Sequence, residues 1–332
     1  MRIALVTIGG TIAERETAGR RVHLSGAEML LKLVPGIDHE VEVVDLFDLP
    51  SNHLGFPEML AVAQAVRSAL GAGADAVVVT HGTDTLEETA YFVDLLFEPG
   101  PTIVFTAAML PPGVAGFDGE NNLNDAFVTA GDTRSREIGV LVVMAGEVHT
   151  ARDVVKHHSM SLGAFKSPEF GPLGTVDEGR FYLARRPALL ETFSFPDREP
   201  EVEGIKCYAG MTDLFVRAAT KRGLDGLVIE TLGSGQVPPG LMSSLREAVS
   251  GDVVVVATTR SPMGRLQRSH YGAPVRVDGD EWDLREAGII FCDLSGTKAR
   301  IKLQLALAAN LEKDLIRLRF ECCGDETSSS AV

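Results

Sequence analysis

No stretch of this sequence approaches the ~18 uninterrupted apolar residues of a membrane span, although hydrophobic residues make up 45% of it. A helical membrane protein is excluded. Charged residues stand at 23%, so the chain also lacks the polar, charge-heavy bias that keeps a chain unfolded. Positive charge is scarce: 31 lysines and arginines face 46 aspartates and glutamates, for a formal charge of −15. That sign repels phosphate, and nucleic acid is not an expected partner. Cysteines occur only at positions 207, 292, 322 and 323, with no C-x-x-C and no paired histidine spacing. A zinc framework and a disulfide scaffold are both disfavoured, leaving reduced thiols, the first two inside apolar strand-like runs. The opening MRIALVTIGG reaches glycine by Gly9, too soon for the apolar core and cleavage site of a signal peptide, so a cytoplasmic protein is expected.

Several familiar signatures are missing too. There is no internal repeat of solenoid length, no Walker loop, no H-E-x-x-H and no G-x-S-x-G. The string GAGADA, Gly71 to Ala76, follows a helical pattern and precedes a strand-like one, the reverse of a dinucleotide fingerprint. His157 and His158 are adjacent and cannot share one face of a regular element as paired metal ligands do.

What is present is an alternation of short apolar runs, rich in valine and isoleucine, with longer segments of helical period. A chain of 332 residues has room for two domains of roughly 150 residues each. Strands are predicted at Ile3–Thr7, Val41–Leu46, Ala76–Thr80, Thr102–Thr106 and Ile138–Met144, with helices at Gly26–Val34, Pro57–Leu70, Thr85–Leu96 and Asn122–Ala130 between them. This is the pattern of parallel strands joined by crossover helices. Hairpin signals between Glu147 and Leu183, such as Asp177, Glu178 and Gly179, predict an antiparallel appendage. The alternation resumes with strands at Gly204–Ala209, Gly226–Glu230, Val253–Thr258 and Gly288–Cys292 and helices at Thr212–Lys221, Leu241–Val249 and Lys298–Asn310. The expected architecture is therefore an α/β protein of two domains. The larger, residues 1–184, is a doubly wound, mostly parallel sheet with the hairpin appendage and most of the site. A proline- and acid-rich linker follows at 185–203, then a smaller α/β domain at 204–323 and a frayed polar tail at 324–332.

In open parallel sheets, ligands bind beyond the carboxyl ends of the strands, where loops converge and helix N-termini point their donors. The first strand is followed by Gly9, Gly10 and Thr11, the second by Ser51, Asn52 and His53, and the third by His81, Gly82, Thr83, Asp84 and Thr85. The fifth leads to Glu147, Arg152, Asp153 and Lys156. Hydroxyls, carboxylates and a lysine gathered on one sheet edge are the side chains that nucleophilic acyl transfer needs. Each has a plainer role open to it. Thr11 can close an ST-turn, Thr83 or Asp84 can cap the following helix, and Lys156 can be a solvated surface charge.

The strings TIGGTIA (Thr7 to Ala13) and THGTDTLEETA (Thr80 to Ala90) resemble the two signature motifs of the bacterial-type L-asparaginase family, which includes the glutaminase-asparaginases. The similarity continues through Ala107 to Asn122, ARDVVK (Ala151 to Lys156), FKSPEFGPLG (Phe165 to Gly174) and GTKARIKLQLALA (Gly296 to Ala308), covering nearly the whole chain in order. The resemblance implies hydrolysis of L-asparagine to L-aspartate and ammonia without metal or organic cofactor. It also implies Thr11 as nucleophile, Thr83, Asp84 and Lys156 as the rest of the catalytic set, and Ser51, Asn52 and Asp84 as contacts for substrate. It further implies a homotetramer built as a dimer of dimers, in which a small-domain loop, here Leu232 to Gln236, offers a polar residue, Gln236, toward a neighbouring site.

Two rivals follow from the same residues. One is an enzyme of the same fold with another role: a glutaminase-asparaginase, or an ammonia-releasing amidotransferase subunit. The latter carries an extra domain ahead of the first motif and meets tRNA, which the acidic surface disfavours. The other is a non-catalytic amino-acid sensor, which would keep Ser51 and Asp84 and be free to lose Thr11, Thr83 or Lys156; all three are present. The chain departs from the resemblance in two loops. Secreted relatives carry a tyrosine in the mobile loop after the first motif, whereas Glu14 to Ser25 has none; the tyrosines are at 91, 182, 208 and 271. That loop is expected to close over substrate, with Arg20, Arg21 or His23 supplying the polar contacts. Relatives also offer an acidic residue from a small-domain loop, and Arg260 to Pro274 contains no aspartate or glutamate.

Overall fold

A computed structural model describes residues 1–17, 20–34, 36–188, 191–267, 275–277, 280–282 and 284–321, with the backbone alone given for 15–17, 20–23, 275–277 and 280–282. The chain forms two compact units, Met1–Thr192 and Phe193–Val332.

The first unit runs β1 (Arg2–Thr7), β2 (Glu14–Thr17), β3 (Arg20–His23), α1 (Gly26–Leu33), β4 (Glu40–Asp45), α2 (Phe56–Gly71), β5 (Ala76–Thr80), α3 (Leu86–Asp94), β6 (Thr102–Thr106) and α4 (Gly119–Gly131). It continues through β7 (Val140–Met144), β8 (Glu147–Thr150), β9 (Val155–Lys156), β10 (Phe165–Lys166), β11 (Gly174–Asp177) and β12 (Arg180–Leu183). Eight strands make one sheet in the order β12-β11-β8-β7-β6-β5-β1-β4. The strands from β4 to β7 are parallel, and β8, β11 and β12 are antiparallel. The predicted appendage is thus continuous with the sheet, extending its β7 edge. β5, β6 and β7 are buried at every residue, as strands covered on both faces must be. Leu5, Val78, Val104 and Leu141 of one face share a core with Met29 of α1 and Leu123 and Phe127 of α4. α2 and α3 pack together, with the rings of Phe56 and Phe92 edge to face at 5.2 Å.

The order β5-β1-β4 has a functional consequence. The chain leaves β1 toward β4 on one side and then crosses through α2 to β5 on the other. The loops after β1 and β5 therefore diverge from neighbouring strand ends, the switch point at which an open α/β sheet forms its crevice.

The second unit holds β13 (Val202–Lys206), α5 (Leu214–Arg222), β14 (Gly226–Thr231), α6 (Met242–Ser250), β15 (Val254–Thr259), β16 (Val275–Val277), β17 (Asp280–Trp282), β18 (Ile290–Phe291), α7 (Gly296–Ala308) and α8 (Lys313–Glu321). A parallel sheet runs β13-β14-β15-β18. Leu227, Ile229 and Val255 pack with Val216, Met242 and Leu245 of α5 and α6. Cys207 and Cys292 are buried thiols outside any disulfide, and burial pushes the Cys207 thiol up to about 11. Cys322, Cys323 and the tail at 324–332 lie outside the described residues.

Several elements depart from the sequence expectation, among them α8 and the β2–β3 and β16–β17 hairpins. α8 was not predicted, because its charges mask the Ile316 and Phe320 pair, four residues apart, that it buries. The segment Glu14–Ser25, predicted as a loop, contains the β2–β3 hairpin, with Glu14 opposite His23; its polar sequence has no apolar alternation to signal a strand. The side chains of Arg20, Arg21 and His23 lie outside the described residues.

Candidate active site

The crevice is built on glycine contacts. Gly9 and Gly10 turn the chain sharply after β1 with φ of +94° and +85°, conformations that only glycine adopts without strain. A Cβ on Gly10 would sit 2.5 Å from the Cα and the backbone N of Gly82, and one on Gly82 would sit 2.6 Å from Ser51 Oγ. Three loops are therefore packed closely together, the first and third backbone to backbone, and the next residues along the first and third are Thr11 and Thr83. Thr11 is half-buried in the turn closed by the Ala13 N–H on Gly10 O. No described residue accepts or donates a side-chain hydrogen bond at Thr11, so its hydroxyl is not committed to an ST-turn.

The loop after β5 also departs from its plainer reading. α3 starts at Leu86 with Thr85 at the N-cap and no side-chain cap, so neither Thr83 nor Asp84 caps the helix. Thr85 donates its hydroxyl to Ser51 O at 2.7 Å, and the Asp84 N–H donates to Ser51 Oγ at 3.2 Å. Ser51 is thereby fixed at 5% exposure, with its own hydroxyl proton left to donate. Asn52 follows it in a short 3₁₀ turn, Ser51–His53, and is exposed.

Lys156 reaches this loop from β9. Its Nζ donates to Thr83 Oγ1 at 2.8 Å and to Asp84 Oδ1 at 2.7 Å. The lysine side chain is 18% exposed and the Asp84 side chain 66%. The ammonium is therefore enclosed while the carboxylate opens to solvent. Of the other polar residues expected near the fifth strand end, Glu147 pairs with Lys166 at 2.7 Å and Arg152 with Asp153 at 3.0 Å.

Three supporting groups carried no role in the sequence reading. His81, fully buried, places Nδ1 2.6 Å from Gly82 O and Nε2 2.8 Å from Thr89 Oγ1. A carbonyl only accepts, so Nδ1 carries the hydrogen and Nε2 accepts from Thr89. Burial holds the ring neutral by lowering its pKa from 6.5 to about 4. Asp118 accepts from the Met109 and Leu110 N–H groups at 3.0 Å and from Asn122 Nδ2 at 2.9 Å, tying down the loop after β6. Glu87, in the first turn of α3, accepts the backbone N–H of Lys156.

Gln236 belongs to the second unit, where it is exposed. Its N–H donates to Leu232 O at 3.0 Å and its carbonyl accepts from the Leu232 N–H at 2.7 Å. Among the described residues there is no group of three histidine, cysteine, aspartate or glutamate side chains placed to hold a metal ion.

Chemically, the arrangement offers a half-buried threonine hydroxyl, a second hydroxyl in contact with an enclosed ammonium, an open carboxylate and a buried serine. It can present a nucleophile, shift a proton and hold the two charged ends of a small amino acid.

Comparison with known proteins agrees over both units. The family model described as Asparaginase, N-terminal, matches residues 2–189, and that of the Glutaminase/Asparaginase C-terminal domain matches residues 201–320. The chain is 35% identical over 316 residues to an L-asparaginase of Bacillus licheniformis, covering 94% of this chain and 97% of that one. It is 31% identical over 330 residues to L-asparaginase 2 of Escherichia coli (strain K12), covering 96% and 92%. The crystal structure of a probable cytoplasmic L-asparaginase from Campylobacter jejuni superposes with a TM-score of 0.85 at 27% identity, over 95% of this chain and 98% of that one.

Proposed function

This chain belongs to the bacterial-type asparaginase family, and from that premise we propose that it hydrolyses L-asparagine to L-aspartate and ammonia through a threonine acyl-enzyme. The observation that carries the reading is the contact of Lys156 Nζ with both Thr83 and Asp84, at the switch point where the Gly10–Gly82 packing brings in Thr11.

The roles follow from what each group has free. Thr11 Oγ attacks the side-chain amide carbon, forming a C–O bond, and the resulting oxyanion is stabilised by donors of the crevice. Ammonia leaves with the proton taken from the threonine, and an ester to Thr11 remains. A water, activated through Thr83 and Lys156, then attacks the ester, releasing aspartate and restoring the hydroxyl. The enclosed ammonium favours developing negative charge on Thr83 Oγ1 or on a water beside it. Asp84 gives Oδ1 to Lys156 and keeps Oδ2 for the substrate α-ammonium, while Ser51 offers its remaining proton to the α-carboxylate. Asn52, on the same turn, is the second contact at that end.

Glutamine differs from asparagine by one methylene, a difference that a pocket discriminates by only about 1–3 kcal/mol. Asparagine is therefore proposed as the preferred substrate and glutamine as a slower one. We further propose a homotetramer, supported by family membership, with Gln236 of one copy serving the site of another. A cytoplasmic location is supported by the likeness to the probable cytoplasmic L-asparaginase of Campylobacter jejuni.

The test is release of ammonia and aspartate in equal amounts from asparagine, and in parallel of ammonia and glutamate from glutamine, by the wild type, Thr11→Ala and Lys156→Met. Each variant should keep its fold and lose on the order of 10³-fold or more in kcat, because groups acting as one catalytic unit fail together. Unchanged kcat in Thr11→Ala would remove the nucleophile assignment. A wild type that binds asparagine without releasing ammonia would establish the sensor instead.

A further inference from the structure

We infer that Glu87 is a positioning residue for catalysis, holding the backbone of Lys156 so that the ammonium stays on Thr83 and Asp84. The inference rests on the hydrolytic reading above and adds a residue to it.

Lys156 sits in a two-residue strand that, among the described residues, pairs only with the equally short β10, with Phe165 opposite Lys156 and Lys166 opposite Val155. So short a ribbon is a weak platform for a side chain that must meet two acceptors at once. Just past the strand, the His157 N–H turns toward β10 and donates to Ala164 O at 2.7 Å, which also accepts from the His158 N–H at 3.3 Å. Successive N–H groups of a strand point to opposite sides, so the N–H of Lys156 faces away from β10. There it meets the carboxylate of Glu87.

Glu87 is placed to give that contact consequence. It is the second residue of α3, where a carboxylate is favoured by the helix N-terminus, and it follows Thr83 and Asp84 by only four and three residues. One side chain therefore links the helix that directly follows the two acceptors to the backbone of the residue that carries the donor. With the backbone of Lys156 pinned to α3, the side chain has to span a fixed gap to Thr83 Oγ1 and Asp84 Oδ1. Without the pin, the ribbon is free to drift relative to α3, and a drift of about 1 Å at a catalytic group is enough to cost on the order of 10²-fold in rate. Glu87 touches no reacting atom in this scheme.

The experiment compares full-length wild type, Glu87→Ala, Glu87→Gln and Glu87→Asp in two ways. The first is amide hydrogen exchange at Lys156, which reads the contact directly and needs no turnover. The second is kcat, KM and the pH profile of kcat for ammonia release from asparagine. Glu87→Ala should lose protection of the Lys156 amide by tenfold or more, and should lower kcat by 10- to 100-fold with KM within about twofold and a displaced pH profile. Glu87→Gln keeps an oxygen that accepts an N–H and should recover most of kcat, while Glu87→Asp, one methylene shorter, should not. A merely structural role would lower the melting temperature and leave kcat per folded molecule and its pH profile in place. Unchanged exchange at Lys156 in Glu87→Ala, or an unchanged kcat and pH profile, overturns the inference. Should the wild type itself release no ammonia, the hydrolytic reading fails, and the exchange arm still decides whether Glu87 holds Lys156.

Discussion

Gly10→Ala is the substitution that bears most directly on how the crevice is built. Its φ of +85° lies in the left-handed region, which costs an alanine about 1–2 kcal/mol. Its new methyl would also lie 2.5 Å from the backbone of Gly82 and 2.9 Å from the carbonyl carbon of His81. Backbone cannot rotate aside as a side chain can, so overpacking adds about 1–3 kcal/mol, for a total of about 2–5 kcal/mol. Spread over a unit the size of Met1–Thr192, at about 2–4 °C per kcal/mol, the melting temperature should fall by about 4–20 °C. Relief of the overlap must separate the loop of Thr11 from that of Thr83, and kcat for asparagine should fall by on the order of 10²-fold with little change in KM. Gly179→Ala separates the two causes, since Gly179 has φ +69° and no described heavy atom within 4 Å of its Cβ position. It should show the strain alone, about 1–2 kcal/mol, with full activity. Gly82→Ala meets the movable side chain of Ser51 at 2.6 Å, so its effect should fall on KM. Calorimetry and steady-state kinetics on the three variants read all of this. A Gly10→Ala enzyme that melts no lower than Gly179→Ala and keeps its kcat would show that the packing of these loops does not position Thr11.

Two further outcomes follow from other parts of the molecule. His81 is neutral in the folded protein down to about pH 4, because burial lowers its pKa from 6.5. Above pH 6.5 both folded and unfolded chains carry it neutral; below that, only the unfolded chain takes up the proton. Its contribution is therefore fully present above pH 6.5 and lost as the pH falls toward 4, by about 3 kcal/mol in all. Urea midpoints at pH 7 and pH 4 should show a smaller acid loss in His81→Asn than in the wild type by about that amount, and equal losses would refute the assignment. Sedimentation velocity at assay concentration should give about 142 kDa, four times the chain mass of 35.5 kDa, and a fully active monomer would refute a site that needs Gln236 from a second copy.

The fold was legible wherever one period dominated. β5, β6 and β7 are unbroken apolar runs because both their faces are covered, and α2 shows its buried stripe through Met59, Val62, Ala63 and Val66. Legibility failed where burial was carried by few residues among many charges. α8 buries Ile316 and Phe320, too sparse a stripe to stand out among its lysine, arginines and acids. The β2–β3 hairpin has no apolar face in its sequence, and its pairing rests on backbone hydrogen bonds, which leave no mark on residue type.

The site divides along the same physical line. Thr11, Ser51, Thr83 and Asp84 could be placed near one edge because each follows a predicted strand, and parallel strands deliver their carboxyl ends to one edge whatever lies between them; singling them and the more distant Lys156 out from the other polar residues there took the family resemblance. What joins these residues could not be named, because it depends on distances between segments far apart in sequence. Lys156 follows Thr83 by 73 residues and Asp84 by 72, and no local period ties them. The glycines show the same limit from the other side. Gly9 and Gly10 were readable as a sharp turn, but the reason Gly10 tolerates no side chain is Gly82, and the reason Gly82 tolerates none is Ser51. Each of these two glycines is required by a neighbour on another strand end, so the signature motifs hold small residues not for their own local conformation alone but for the closeness of the loops. In the proposed chemistry that closeness is what turns two separate hydroxyls, each with an ordinary local role open to it, into one catalytic set: the same contact that forbids a Cβ at Gly10 brings Thr11 to the loop where Lys156 already holds Thr83.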